Sequence, residues 1–212
     1  KRKISSTSNG VFRRTYCVIN WPHFFKCGFL IPKLATNIFG GITIKTLLNL
    51  SGKSQYADDI NIRYQKSACG PTTVNVILNY LCQNNEISQK NINELYELLG
   101  STRIGLFKRR LIRNLQKLLG NDWVVEECTI NEAIDELRAG RPVAIKFDKY
   151  LSFNWSAKTM FKYHWVPLIG YEIRAGKLYL KIHDNGGRNR ESKIRDVLYE
   201  DNRSVLSFVK IA

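Results

Sequence analysis

The chain has 212 residues, 44% of them hydrophobic, and 33 Lys+Arg against 18 Asp+Glu, for a formal net charge of +15. This suffices for a domain with a sizeable core and excludes collagen-like, disordered and coiled-coil classes. The positive charge suits an anionic surface or polymer, but no zinc finger, RNA-reading sheet motif or basic zipper points to specific nucleic-acid recognition, and no apolar run reaches the length of a transmembrane helix.

Residues 1–60 hold nine basic and two acidic side chains. They are read as a basic, partly ordered N-terminal extension ahead of a domain at 61–212. The first ten residues, KRKISSTSNG, are polar and expected to be mobile. TYCVINW and KCGFLIP look like short strands or buried extended pieces, TIKTLLNL suits a strand or a helix, and SGKSQYADDI a loop. The chain starts at Lys1 rather than a methionine. If an upstream signal was removed, the expected location is extracellular or the cell envelope; otherwise it is cytoplasmic.

From Gly70 the pattern sharpens. Pro71 suits the first position of a helix, and Val74, Ile77, Leu78 and Leu81 recur with helical spacing. A second apolar stripe covers 91–99 through Leu95, Leu98 and Leu99. A third covers 106–119 through Leu111, Leu115, Leu118 and Leu119, with Gly120 closing it. Thr129 and Glu132 form a capping box that opens a short helix ending at Gly140. The period then changes. RPVAIKFD (141–148), HWVPLIGYEI (164–173), KLYLKIHD (177–184) and VLSFVKIA (205–212) read as strands, the second and third joined by a hairpin turn at 174–177. Helices followed by an antiparallel sheet make an α+β domain.

Five cysteines, at 17, 27, 69, 82 and 128, form no tight framework. Cys17 and Cys27 are compatible with a disulfide, Cys82 and Cys128 fall on apolar stretches as buried thiols, and no CxxC or His/Cys cluster calls for a metal. No cofactor is expected. Cys69 is different, because it precedes Gly-Pro at a helix start. There, free N–H groups and the helix dipole favour a thiolate, and Gly-Pro leaves space before the sulfur. A buried structural thiol is the competing reading. A thiolate enzyme needs a base, and the chain has three histidines. His164 opens a strand on the face of Val166 and Leu168, as a base or a satisfied core residue. His183 shares a face with Tyr179 and Lys181 and is read as a surface residue. His23 is read as structural. Asp184 shares the apolar face of Leu178, Leu180 and Ile182, where a carboxylate needs a partner, and can neighbour His164 across the hairpin to fix its tautomer. A turn-forming aspartate in HDNGG competes, with Asn185 as a spare orienting residue. Gln65 is the candidate side-chain donor to an oxyanion beside the Cys69 backbone N–H; a solvent-facing glutamine competes.

Gln65, Cys69-Gly-Pro, His164 with its apolar strand and Gly-Tyr, and Asp184 occur in an order that resembles the papain-like cysteine peptidases. More narrowly, they resemble the bacterial branch typified by the bacteriocin-processing, double-glycine leader peptidases and their stand-alone relatives. TINEAIDELRAGRPVAIKF, STRIGLFKRRLIRNLQKLLG and HWVPLIGYE are similar to that family's segments, so the resemblance covers about 65–184. It implies a papain-like fold, with an N-terminal helical part carrying the cysteine helix packed against a C-terminal antiparallel sheet. It also implies a cysteine peptidase acting on a peptide or protein substrate, with Cys69 as nucleophile, His164 as base and then acid, Asp184 as orienter and Gln65 as oxyanion donor. Gln65 stands four residues before the cysteine where relatives usually place five or six, and Asp184-Asn185 replaces an Asp-Pro. The same triad would also serve a transferase or deamidase, and a non-catalytic cationic binding module would keep the fold without turnover.

Overall fold

The computed structural model describes residues 44–82, 90–150 and 159–212, which fall in a unit spanning Ile38–Ala212. Cys17, His23 and Cys27, with the strand-like stretches around them, lie outside the described residues. Strand β1 (Ile44–Leu47) and a one-turn helix α1 (Ile62–Gln65) precede the main helices. Helix α2 (Cys69–Leu81) starts two residues ahead of Pro71. Helices α3 (Ile92–Leu98) and α4 (Lys108–Leu119) follow. Asn91 caps α3 by accepting from the Glu94 N–H, and Gly120 ends α4 with φ 84°, a conformation only glycine adopts at little cost.

After β2 (Val125–Cys128), the expected capping box forms at α5 (Ile130–Arg138), where the Thr129 side chain accepts from the Glu132 N–H and Glu132 accepts from the Thr129 N–H. Then come β3 (Val143–Asp148), β4 (Tyr163–Arg174), β5 (Lys177–Asp184), β6 (Lys193–Leu198), the short helix α6 (Tyr199–Asn202) and β7 (Leu206–Ile211). The hairpin between β4 and β5 turns on Ala175 (φ 47°) and Gly176 (φ 73°), the two positive φ values that match the twist of the paired strands.

All strand pairs are antiparallel, in the order β2-β7-β3-β4-β5-β6. Strand β1 runs beside the second half of β4 (Gly170–Ile173), while β3 runs beside its first half (Tyr163–Leu168). Gly170 allows this approach: a Cβ there would lie 2.1 Å from the Thr46 carbonyl oxygen.

Both faces of the sheet are covered, which is why every residue of β3 is buried. On one face, Val74, Ile77 and Leu78 of α2 and Leu111 and Leu115 of α4 pack with Ala144, Trp165 and Val209. On the other, Ala133 and Leu137 of α5 pack with Ile145, Phe147, Val166 and Leu168. The result is an α+β fold of helices packed on a C-terminal antiparallel sheet, with one strand contributed from ahead of the helices.

Candidate active site

Cys69 is the first residue of α2 and lines a cleft of about 370 Å³. Four hydrogen-bond contacts fix this turn. The Thr73 hydroxyl donates to the Cys69 carbonyl at 2.8 Å. The Asn185 side-chain amide donates to the same carbonyl at 3.0 Å, to Thr73 Oγ1 at 2.9 Å and to the Trp165 carbonyl at 2.9 Å. One buried amide thus ties the start of α2 to β4. Gly70 is needed for packing rather than for room at the sulfur, since a Cβ there would meet Leu106 Cβ at 2.8 Å. Leu106 in turn accepts hydrogen bonds from Tyr163 Oη (2.9 Å) and Trp165 Nε1 (2.7 Å).

His164 follows Tyr163 at the start of β4 and is buried, with its ring against Phe161 at 4.7 Å between centroids. Its Nε2 lies 3.1 Å from Asp184 Oδ1, which leaves the other ring nitrogen for Cys69; the two side chains line the same cleft and are electrostatically coupled. Burial opposes ionisation of the thiol. The His164 hydrogen bond and charge, with backbone N–H groups at Trp165 and Gly70, outweigh it and hold the Cys69 pKa below its ordinary value. Burial likewise disfavours imidazolium, but the Asp184 hydrogen bond and the facing sulfur raise His164 to about 9. The pair therefore favours thiolate and imidazolium together.

Asp184, the last residue of β5, is fully buried. Its Oδ2 accepts from Arg195 Nε at 2.7 Å and from Arg190 Nη1, so a carboxylate at zero exposure has three cationic partners. Burial pushes its pKa up, but the hydrogen bonds from His164 and Arg190 dominate and hold it well below the usual carboxylate range. Arg190 and Arg195 have no local sequence signature. One sits in the loop after β5 and the other in a strand whose charges hid its periodicity.

Two expectations are corrected. Gln65 does not line the cleft: its Nε2 donates to the carbonyls of Ile60 (3.2 Å) and, more weakly, Ala57 (3.5 Å). The glutamine that lines the cleft with Cys69 is Gln55, fourteen residues upstream in the loop after β1. Its backbone N–H donates to the Asn185 carbonyl at 2.8 Å, its Nε2 to the Gln65 carbonyl at 2.7 Å, and it is 5% exposed. His183 is not a surface residue either. It is buried, Nδ1 lies 2.8 Å from Ser192 Oγ, and a Cβ on Gly52 would sit within its ring. The segment 48–55 covers a strand face that alternation alone marks as outward. Lys181 on the same face is buried too, paired with Glu172 (2.6 Å) and Asp196 (2.9 Å).

Cys82 and Cys128 are buried away from the cleft, and burial pushes the Cys128 thiol up to about 12. Among the described residues no three His, Cys, Asp or Glu side chains converge as metal ligands, and no helix is long and apolar enough to cross a membrane.

The model of the Peptidase_C39 like family matches residues 48–205. Among solved structures, the crystal structure of UfSP from C. elegans is similar in fold, with a TM-score of 0.51 at 11% identity over 82% of this chain. The match spans about a third (35%) of the UfSP chain. No curated protein matches. The fold is papain-like.

Proposed function

The chain belongs to the Peptidase_C39 like family, and from that membership and the cleft geometry we propose that it is a thiol hydrolase cleaving peptide or related amide bonds through an acyl-enzyme on Cys69. The observation that carries the proposal is one arrangement: a helix-start thiol sharing a cleft with, and electrostatically coupled to, an imidazole that is hydrogen-bonded to a buried carboxylate. In this mechanism the Cys69 thiolate attacks the carbonyl carbon. The oxygen takes up negative charge, the C–N bond breaks, and His164 gives its proton to the leaving amine. His164 then takes a proton from water, which attacks the thioester and frees Cys69. Asp184 holds the imidazole tautomer and favours its charged form.

Gln55, in place of Gln65, is the proposed second donor to the oxyanion. Its Nε2 spends one hydrogen on the Gln65 carbonyl and keeps one, and both its backbone and its side chain are anchored. The narrower placement among bacterial, bacteriocin-processing-like peptidases belongs to the same proposal, supported by TINEAIDELRAGRPVAIKF and HWVPLIGYE.

The test is a proteome-derived peptide library incubated with the protein and its variants, scored by mass spectrometry for new N-termini. Cleavage is expected with the native chain and absent with Cys69→Ala. Gln55→Ala is expected to lower the rate on the order of 100-fold, as loss of one oxyanion donor does, and Gln65→Ala less than about fivefold. Deamidated or cross-linked products without new N-termini would favour a deamidase or transferase on the same triad. No product at all would favour the binding module.

A further inference from the structure

The cleft around Cys69 is lined by charged residues of one sign. Besides His164 they are Lys66, Arg103, Lys162 and Arg190, with no carboxylate among them. Arg190 is already neutralised by the buried Asp184. The other three are exposed, and none has an ion-pair partner among the described residues. Other cations on this basic chain do find partners: Lys53 with Asp59, Lys108 with Glu127, Lys181 with Glu172 and Asp196, and Lys210 with Glu126.

The three cations come from separate parts of the chain. Lys66 is the C-cap of α1, Arg103 stands in the turn before α4, and Lys162 directly precedes β4. No single solvated helix face accounts for their meeting at one rim. The Arg103 turn is also built to hold its tip in place. Thr102 and Gly105 exchange backbone hydrogen bonds (3.1 and 2.9 Å), and the Thr102 hydroxyl adds a third to the Gly105 carbonyl (3.0 Å). Gly105 has φ 108°, and a Cβ on it would lie 2.6 Å from the Tyr163 ring. The turn is pinned against the residue next to His164, and it presents Arg103 beside Ile104, an isoleucine 73% exposed at the cleft edge. An apolar side chain displayed next to an unpaired cation suits a segment carrying both acidic and apolar groups.

We infer that the cleft takes an acidic peptide, whose Asp or Glu side chains are drawn to Lys66, Arg103 and Lys162 while the scissile carbonyl meets Cys69. This rests on Cys69 as the nucleophile and adds the substrate class. Three unneutralised cations around a concave mouth focus the field there and raise the local concentration of an anionic segment, an effect that salt screens.

The experiment uses three chloromethyl ketones that alkylate a reactive thiol: Ac-Glu-Glu-Glu-Ala, Ac-Gln-Gln-Gln-Ala and Ac-Lys-Lys-Lys-Ala. Second-order labelling rates at Cys69 are read by mass spectrometry on the full chain. The Glu probe is expected to label on the order of tenfold or more faster than the Gln probe at low ionic strength. In 1 M salt, where the Debye length is about 3 Å, the ratio should approach one. Lys66→Glu/Arg103→Glu/Lys162→Glu should bring it to one or below, whereas Arg113→Glu/Lys117→Glu, on α4, should leave it within about twofold. A Glu-to-Gln ratio near one in the native chain, or a Lys probe that labels fastest, overturns the inference while leaving the nucleophile standing. Equal loss of the ratio in the α4 variant overturns it too, since the field would then belong to the whole molecule. Failure of every probe, and of iodoacetamide, to label Cys69 overturns the thiol reading and the inference with it.

Discussion

Replacing Asp184 with alanine should lower the unfolding free energy by about 3–5 kcal/mol at pH 7, the usual cost of removing one partner from a buried ionic network. For a domain of this size that is a fall in Tm of roughly 6–20 °C. The size follows from burial: the carboxylate has no exposure and joins His164, Arg190 and Arg195. The two arginines are partly exposed and can regain water, but His164 cannot. The folded pKa of Asp184 lies below its unfolded value. The stability it contributes is therefore complete above the unfolded carboxylate's pKa of about 3.9 and falls away as the pH drops toward the folded value. Urea denaturation at pH 7 and in acid checks both parts. A loss under about 1 kcal/mol at pH 7, or a gap between variant and native chain that widens in acid, would contradict the assignment.

Asn185→Leu should have the next largest effect. The two hydrogens of its Nδ2 are shared among three buried acceptors, on Cys69, Thr73 and Trp165. Leucine keeps the approximate volume and removes every bond. The Cys69 carbonyl keeps the Thr73 hydroxyl, so the loss should be about 2–3 kcal/mol rather than three full penalties. The activity loss should be larger in proportion. The amide sets the first turn of α2 against β4, and a displacement near 1 Å between nucleophile and base costs on the order of 100-fold. Calorimetry and the rate of Cys69 alkylation measure the two effects. A variant alkylated at the native rate would show that Asn185 holds the fold but does not position the thiol.

The helices and four central strands were legible because each carries its period in its own residues. The Thr129–Glu132 box forms two reciprocal bonds within four positions, and the Val74–Leu81 stripe faces one layer of the core. The meeting of His164 with Asp184 was foreseeable for the same reason, since each stands near the end of a strongly patterned strand. Strand β6 was not, because KIRDVL uses Arg195 and Asp196 to bind Asp184, Arg174 and Lys181 across the ladder, and those charges mask the alternation. His183 was misread because alternation assigns a face but not what covers it, and the cover comes from a loop about 130 residues earlier in the chain. Gln65 was chosen for its nearness to the cysteine. Gln55 reaches the cleft because the loop after β1 is bonded to Asn185 and Gln65, a long-range fact with no local trace.

The measurement that bears most directly on Cys69 as an activated nucleophile is its iodoacetamide alkylation rate from pH 5 to 10, in the native chain and in His164→Ala. With the thiol pKa lowered by His164 and the imidazole raised to about 9, the native rate should be substantial below neutrality and keep a plateau up to about pH 9. In His164→Ala the rate should instead climb as an ordinary thiol ionises near pH 8.5, leaving it on the order of 100-fold lower at pH 6. Cys128, with its thiol near 12, should stay slow throughout. Coincident native and variant profiles, both rising near pH 8.5 with no plateau, would contradict the proposed thiolate–imidazolium pair.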